Sequence, residues 1–394
     1  MERLDLLARV GAVGDGGGIT RPGLSAAEDA AHTLVAGWCE EAGMAVSRDA
    51  AGNLFARPSR AVAAAEIWSG SHLDTVPSGG RFDGALGVVA ALDAVAEVAA
   101  DRPDAPLAVV VFRDEEGWRF GNGCFGSRCV AGDIGAADLA ERDSAGVSVA
   151  EALTALGLPG PPVDATLPAA YVEVHIEQGP ILAAGDMPLG DVAAIAGMAG
   201  FTVTFRGASG HAGTVPMHER SDAFAACSEM AVRLRERAIG IPGAVATIGD
   251  VTLAGAAANV IPGLVRATVD VRAPTAEGLD RLVAAVPAVA AEVAVTNRCG
   301  VDAVRRGRSE PVMLSGRVRR SIRAAARGAG VPIAEVTSGA GHDAGIMAAA
   351  GVDAGMLFVR SLNGGASHRP DELSDEADVS AAIAVLAETL RSLL

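Results

Sequence analysis

The chain contains no lysine, so all 32 of its basic side chains are arginine. That absence removes Schiff-base and pyridoxal-phosphate chemistry, which needs a catalytic lysine, and it removes the Gly-Lys-Ser/Thr of a phosphate-binding P-loop. Positive charge is scarce overall. Against 48 acidic residues the formal net charge is −16, the wrong sign for a nucleic-acid binder that gains affinity by displacing counterions. Aromatic residues make up only 3%, which leaves Ala, Val and Leu to fill most of any core. The 5 cysteines (Cys39, Cys124, Cys129, Cys227, Cys299) are odd in number and scattered, without a C-x-x-C. They read as reduced thiols of a cytoplasmic protein rather than a disulfide framework. Charged residues, Pro or Gly interrupt every apolar run before it reaches membrane-spanning length, and Met1-Glu2-Arg3 leads into an amphipathic segment without the apolar stretch of a signal peptide. The expectation is a soluble, cytoplasmic protein with no membrane or nucleic-acid partner.

What is present is ample apolar content, 50% of 394 residues, in a chain long enough for two domains. Ala26 to Ala42 has helical spacing with Glu28-Asp29 in its first turn, and a second helix follows the Gly-rich turn SGGRFDG over Ala85 to Ala100. Leu107 to Phe112 (LAVVVF) and Tyr171 to Ile176 (YVEVHI) read as strands. Strands interleaved with helices predict an α/β sheet with its site at strand ends. From about Gly200 the order changes: strand Phe201–Arg206, helix Glu219–Arg237, strands Ala244–Val251 and Val265–Arg272, a helix from Ala276, and a last strand Gly300–Val304. This β-α-β-β-α-β order predicts a ferredoxin-like α+β domain inserted into the first. The expected division is a catalytic domain over 1–198, an inserted domain over 199–308, and the rest of the catalytic domain over 309–394.

The 7 histidines sort by surroundings. His32 lies within a helical stretch and is expected to be a solvated surface residue. His72 (GSHLDTVPSGGRFDG), His175 (HIEQGP), His211 (GHAGTVPM), His342 (SGAGHDAG) and His368 (GGASHRPDE) sit in Gly-rich or strand-end loops. One histidine is more often structural than a ligand, but five in punctuated loops accompanied by carboxylates reverse that prior. A pair of divalent cations needs a bridging ligand, and a carboxylate can bridge. Asp83 in RFDG is the natural bridge because flanking glycines let the loop turn it inward. Asp74, two residues after His72, shares its face on extended backbone and is placed to orient the imidazole. Glu115 and Glu116 follow the LAVVVF strand, where one carboxylate can bind metal while the other accepts a proton.

The motifs GSHLDTVPSGGRFDGALG, DEEGWRFG, VEVHIEQGP, GHAGTVPM, NVIPG, DVR, GAGHDA and FVRSLNGGASHRPDE occur in the order seen in the hydantoinase/carbamoylase family, which the chain resembles from about Gly18 to Glu372. That family is a branch of the dinuclear metallohydrolases that also hold aminoacylases and glutamate carboxypeptidases. The resemblance implies a two-domain metallohydrolase that hydrolyses N-carbamoyl-L-amino acids; the alternative is allantoate. An aminoacylase or dipeptidase, or a non-catalytic homologue, stands further off because position 175 is His and no proposed ligand is missing. It implies two divalent metal ions per subunit (Zn, Mn, Co or Ni, since mixed N/O ligands suit all four). One would be held by His72, Asp83 and His175, and the other by Asp83, Glu116 and His368. Glu115 would be the general base and Asp74 the support of His72. Histidine at position 175 distinguishes the carbamoylase branch from peptidase relatives, which carry an acid there. Gln178, His211, Asn259, Arg272 and His342 would contact the substrate, with His211 stabilising the oxyanion and Arg272 offering a planar fork to a carboxylate. The inserted domain would act as lid and dimer interface of a homodimer, His211 reaching across to the partner. Trp118 and Val215 depart from the family pattern, where Ser and Thr are usual.

Overall fold

A computed structural model describes residues 1–14, 16–62, 65–160 and 166–394. It separates into two compact units: Met1–Ala193 with Met313–Val336 and His342–Leu394, and Ala194–Val312 with Thr337–Gly341.

The first unit is built on a nine-stranded sheet. Its strands in chain order are β1 (Met44–Arg48), β2 (Leu54–Pro58), β3 (Ile67–His72), β4 (Leu107–Phe112), β5 (Ala170–Ile176) and β6 (Leu189–Ile195). The second unit contributes β7 (Gly197–Arg206), β8 (Gly210–His211), β9 (Val245–Ala254), β10 (Val260–Ile261), β11 (Leu264–Ala273) and β12 (Gly300–Ser309). Short β13 (Val312–Met313), β14 (Ile333–Ser338) and β15 (Asp353–Val359) follow. The large sheet runs β1-β2-β4-β3-β5-β15-β6-β13, with β14 beside β6. β4, β3, β5 and β15 run parallel to one another in the centre, flanked by antiparallel β2 and β6, and β3, β4 and β5 are buried along their whole length. Strands covered on both faces read as continuous apolar runs, which is why LAVVVF is so conspicuous. Helices Ala85–Asp101 and Glu376–Leu393 pack together and on this sheet. Their fully buried Val88, Val95, Val385 and Leu390 each contribute about 1.5–3 kcal/mol by leaving water.

This arrangement decides where chemistry can sit. Four parallel strands end at the same edge, where the chain must turn into loops; His72 is the last residue of β3 and His175 the penultimate residue of β5. Ligand sites in open α/β sheets gather at that edge.

The second unit has the ferredoxin-like order. Its antiparallel sheet runs β12-β7-β11-β9, with helices Ala223–Ile239 and Ala276–Thr296 packed together and over it around Phe205, Val269, Leu234 and Val286. β12 extends to Ser309, beyond the expected end at Val304, because its pairing with β7 continues through the charged residues to Ser309 opposite Met198, across a register shift between Arg305 and Gly307. The first helix begins at Ala223 rather than Glu219, since Asp222 caps it by accepting the N–H groups of Phe224 and Ala225.

One sequence expectation fails in the first unit. His32 is fully buried, not solvated: its face of helix Ala26–Glu41 turns inward, where its Nε2 lies 3.9 Å from the equally buried Glu28. Burial and the neighbouring Arg113 hold its pKa well below the usual value, so the ring is neutral.

Candidate metal centre

Five side chains, two from strand ends and three from loops, converge at the carboxyl edge of the parallel strands. His72, Asp83 and His175 form one group and Asp83, Glu116 and His368 another, with each group's donor atoms within 4.8 Å of one another. Asp83 belongs to both and divides its oxygens between them. Its Oδ1 lies 3.1 Å from His175 Nε2 and 3.7 Å from His72 Nε2, and its Oδ2 lies 3.5 Å from His368 Nε2. Glu116 Oε2 lies 3.3 Å from His368 Nε2.

Asp83 stands immediately before Gly84, the N-cap of helix Ala85–Asp101, where the helix dipole favours a negative charge. Gly84 has φ +63°, and a Cβ there would lie 2.5 Å from the His72 ring. Glycine is therefore required twice over, by conformation and by the closeness of the imidazole.

The two histidines are prepared as nitrogen ligands. His72 Nδ1 is 3.2 Å from the Asp74 carbonyl and 3.3 Å from its Oδ1, and His175 Nδ1 is 2.9 Å from the Ile176 carbonyl. Donating Nδ1–H to these oxygens leaves the Nε2 lone pairs facing Asp83. Both Nε2 atoms are buried and face carboxylate oxygens, which accept and cannot donate: Asp83 Oδ1 lies 3.1 Å from His175, and Asp83 Oδ1 and Glu115 Oε2 each lie 3.7 Å from His72. Buried polar atoms are seldom left this way, and a cation is the partner that would satisfy them.

The acids give the same indication. Burial, reinforced by Asp83 and Asp74, pushes Glu116 up to about 9. Burial also pushes Glu115 well above the usual range, with Asp343 and Glu116 adding to the effect. So many buried carboxylates cannot all ionise without compensating positive charge. The residues present fit a two-cation site.

Glu115 points its Oε2 to within 3.7 Å of His72 Nε2 but belongs to neither ligand group. Its placement depends on Asp74, whose Oδ1 and Oδ2 accept the N–H groups of Glu115 and Glu116 at 3.0 Å each. Asp74 thus holds both the imidazole and the acidic turn, and spacing alone had signalled only the first role. The turn carries Asp114 at φ +50° and Gly117 at φ +59°. It is pinned further by buried Glu28, which accepts the N–H of Asp114 at 3.0 Å and the guanidinium of Arg113 at 3.1 Å.

Gln178 turns its amide inward, donating from Nε2 to Asp83 Oδ2 at 2.8 Å. His342 is buried with its ring edge-on to His175, the centroids 4.5 Å apart. Trp118 is exposed and borders an apolar groove of about 670 Å³ with Leu24, Val147 and Leu156. Ser367 and Glu372 were not expected in the site, yet both bond to its loops. No periodicity or spacing could have singled them out, because the partners that tie them to the Asp83 loop lie far away in the chain.

The remaining expected residues lie in the second unit. His211 is exposed on β8, its Nδ1 accepting the Gly213 N–H at 3.0 Å. Asn259, also exposed, lies beside it, its carbonyl accepting the Ala212 N–H. Arg272 donates to both carboxylate oxygens of Asp270 at 2.8 and 3.3 Å and to the Gly339 carbonyl at 2.8 Å.

The sequence profile of the peptidase family M20/M25/M40 matches residues 68–392, and the chain belongs to that family. Within it, the relatives are amidohydrolases. An N-carbamoyl-L-amino acid amidohydrolase of Geobacillus stearothermophilus is 37% identical, the alignment covering 98% of this chain and 96% of that one. A probable allantoate deiminase of Oryza sativa is 34% identical over 95% of this chain and 85% of its own length. Among solved structures, an amidase of the hydantoinase/carbamoylase family from Burkholderia multivorans superposes with a TM-score of 0.93 at 32% identity, covering 99% of this chain and 96% of that one. The expected family and enzyme class are thereby borne out: the protein is a hydrolase of linear amides. No helix among the described residues is long and apolar enough to cross a membrane.

Proposed function

We propose that this protein is a two-cation amidohydrolase that cleaves the carbamoyl C–N bond of N-carbamoyl-L-amino acids, releasing the amino acid, ammonia and carbon dioxide. The observation that carries the proposal is Asp83, shared between two ligand groups through its two oxygens, in a chain 37% identical to an N-carbamoyl-L-amino acid amidohydrolase. His72, Asp83 and His175 would hold one ion, and Asp83, Glu116 and His368 the other. When bound, the ions supply Lewis acidity and make water a better nucleophile near neutral pH.

The chain's own residues do the rest. Glu115 accepts the proton of the attacking water and later delivers it to the departing nitrogen. Asp74 keeps Glu115 in place by gripping its backbone. His211 donates to the oxygen that becomes negative as the carbonyl carbon turns tetrahedral, where a fixed donor acts most strongly. Arg272 and Asn259 bind the substrate carboxylate, Gln178 steadies Asp83, and His342 lines the pocket. The active unit is a homodimer formed through the ferredoxin-like lid, in which His211 serves the site of the partner subunit.

Allantoate is the second reading, favoured by the 34% identity to an allantoate deiminase. The deciding experiment measures kcat/KM on a panel of N-carbamoyl-L-amino acids beside allantoate, with enzyme loaded separately with Zn, Mn, Co and Ni. Preference for allantoate over every carbamoyl amino acid would overturn the substrate assignment.

A further inference from the structure

Glu372 lies outside both ligand groups, 5% exposed, and its carboxylate joins two loops that are distant in the chain. Its Oε2 accepts the N–H groups of Phe82 and Asp83, each at 3.2 Å. Its Oε1 accepts the N–H of His368 at 3.1 Å. Ser367 Oγ stands between Asp83 Oδ2 at 2.9 Å and Glu372 Oε1 at 3.3 Å, with one proton to give them. One side chain thus grips the backbone of the shared carboxylate and the backbone of the C-terminal histidine.

The surroundings are shaped for it. A Cβ on Gly80 would fall 2.0 Å from Glu372 Oε2, so the glycine of the GGRFDG turn makes room for this carboxylate. His368 needs an anchor: its backbone is left-handed at φ +57° and its side chain is 48% exposed. A non-glycine residue in that conformation is held by its surroundings rather than by its own preference. Asp83, by contrast, is also fixed by the helix that follows it and by Gln178.

We infer that Glu372 is a positioning residue that clasps the His368 loop to the Asp83 loop and so sets the affinity for the second cation. The inference rests on the two-cation reading above. It requires a carboxylate, because both oxygens must accept. Glutamine keeps the shape but turns an NH₂ toward N–H donors on one side, which releases one of the two loops.

The test is Mn(II) binding by the full-length chain, measured by equilibrium dialysis with elemental analysis. Wild type should take up two ions. In Glu372→Gln the first ion should bind as in wild type, while affinity for the second falls about 10–100-fold, the usual cost of removing a partner that orients a ligand. A merely structural role is separated by a cycle with His368→Ala, which deletes the second site directly. In that background Glu372→Gln should change Mn(II) binding by less than about threefold, since the two changes act on one site. If Glu372→Gln does not fold, Ser367→Ala carries the same test, with weaker second-ion binding expected. Equal binding of two ions by wild type and variants overturns the clasp, as does a loss that persists undiminished in the His368→Ala background. A wild-type chain that takes up no second ion overturns the two-cation reading itself.

Discussion

In the first unit Asp83 is 4% exposed and accepts hydrogen bonds from Gln178 and Ser367, while Glu372 and Asp74 tie down the backbones beside it. In the second unit His211 and Asn259 are exposed, and what fixes them is a two-residue pairing of β8 with β10. The contrast separates two tasks. Groups that must meet a cation within tenths of an ångström are set by buried hydrogen bonds before any ligand arrives. Groups that meet a substrate entering from solvent can stand on a surface and be completed by binding. Substitutions in the first unit should therefore reduce the chemical step, and those of the carboxylate-binding residues in the second, Arg272 and Asn259, should act mainly on affinity, with His211 the one residue of the second unit proposed to act on the chemical step itself.

The largest effect expected from this contrast is at Glu115. Glu115→Gln preserves the side-chain shape and the backbone bond to Asp74, and Glu115 is in neither ligand group. Both ions should stay bound while kcat falls about 10²–10⁴-fold through loss of the proton acceptor. Turnover near the wild-type rate would remove Glu115 from the role of base.

His211 tests the contrast from the other side. If it serves the partner's site, Glu115→Gln and His211→Ala carry defects in different halves of each composite site. Mixed under proven subunit exchange, the two inactive variants should regain activity, because each heterodimer has one doubly defective site and one intact site. No recovery would confine His211 to its own subunit or remove it from catalysis.

The same contrast governs what could be read from the sequence. The buried strand Leu107–Phe112 announces itself as an apolar run and Tyr171–Ile176 as a strand pattern, and the ligands stand at the ends of such strands or in the Gly-rich loops beyond them with fixed local spacing. Both signals are local. Glu372 is not local: it is separated from Asp83 by 289 positions, and only the fold shows that the two loops meet. His32 misleads for a related reason. In a helix of mixed composition the inward face depends on its neighbours, and here they are Glu28 and Arg113, a charged pair that hydrophobic periodicity does not register. Likewise Asp222 takes the capping role that moves the helix start from Glu219 to Ala223, because its side chain meets the first free N–H groups.

In the second unit Arg272→Lys should raise KM about 10–100-fold for carboxylate-bearing substrates, since a hydrogen bond to a charged group is worth about 1.5–3 kcal/mol and an ammonium cannot reproduce the fork. The change should leave metal content as in wild type. A KM unchanged for every such substrate would move the carboxylate site elsewhere.

The smallest effect expected is at the residue that aims this arginine. A guanidinium has five N–H groups. In Arg272 three are taken, two by Asp270 and one by the Gly339 carbonyl, which leaves one on each terminal nitrogen, the pair an end-on carboxylate needs. Asp270 is then an orienting partner rather than a competitor. The side chains of Arg272 and Asp270 are 32% and 40% exposed, so the pair is screened by solvent and worth about 0–1 kcal/mol. Asp270→Asn should accordingly raise KM by no more than about fivefold, well short of the effect of Arg272→Lys. Because the guanidinium charge survives, kcat and metal content should stay at wild-type values. A KM that falls instead would show Asp270 occupying the place of the substrate carboxylate, and the fork used for binding would then be the Nε–Nη2 edge it now fills.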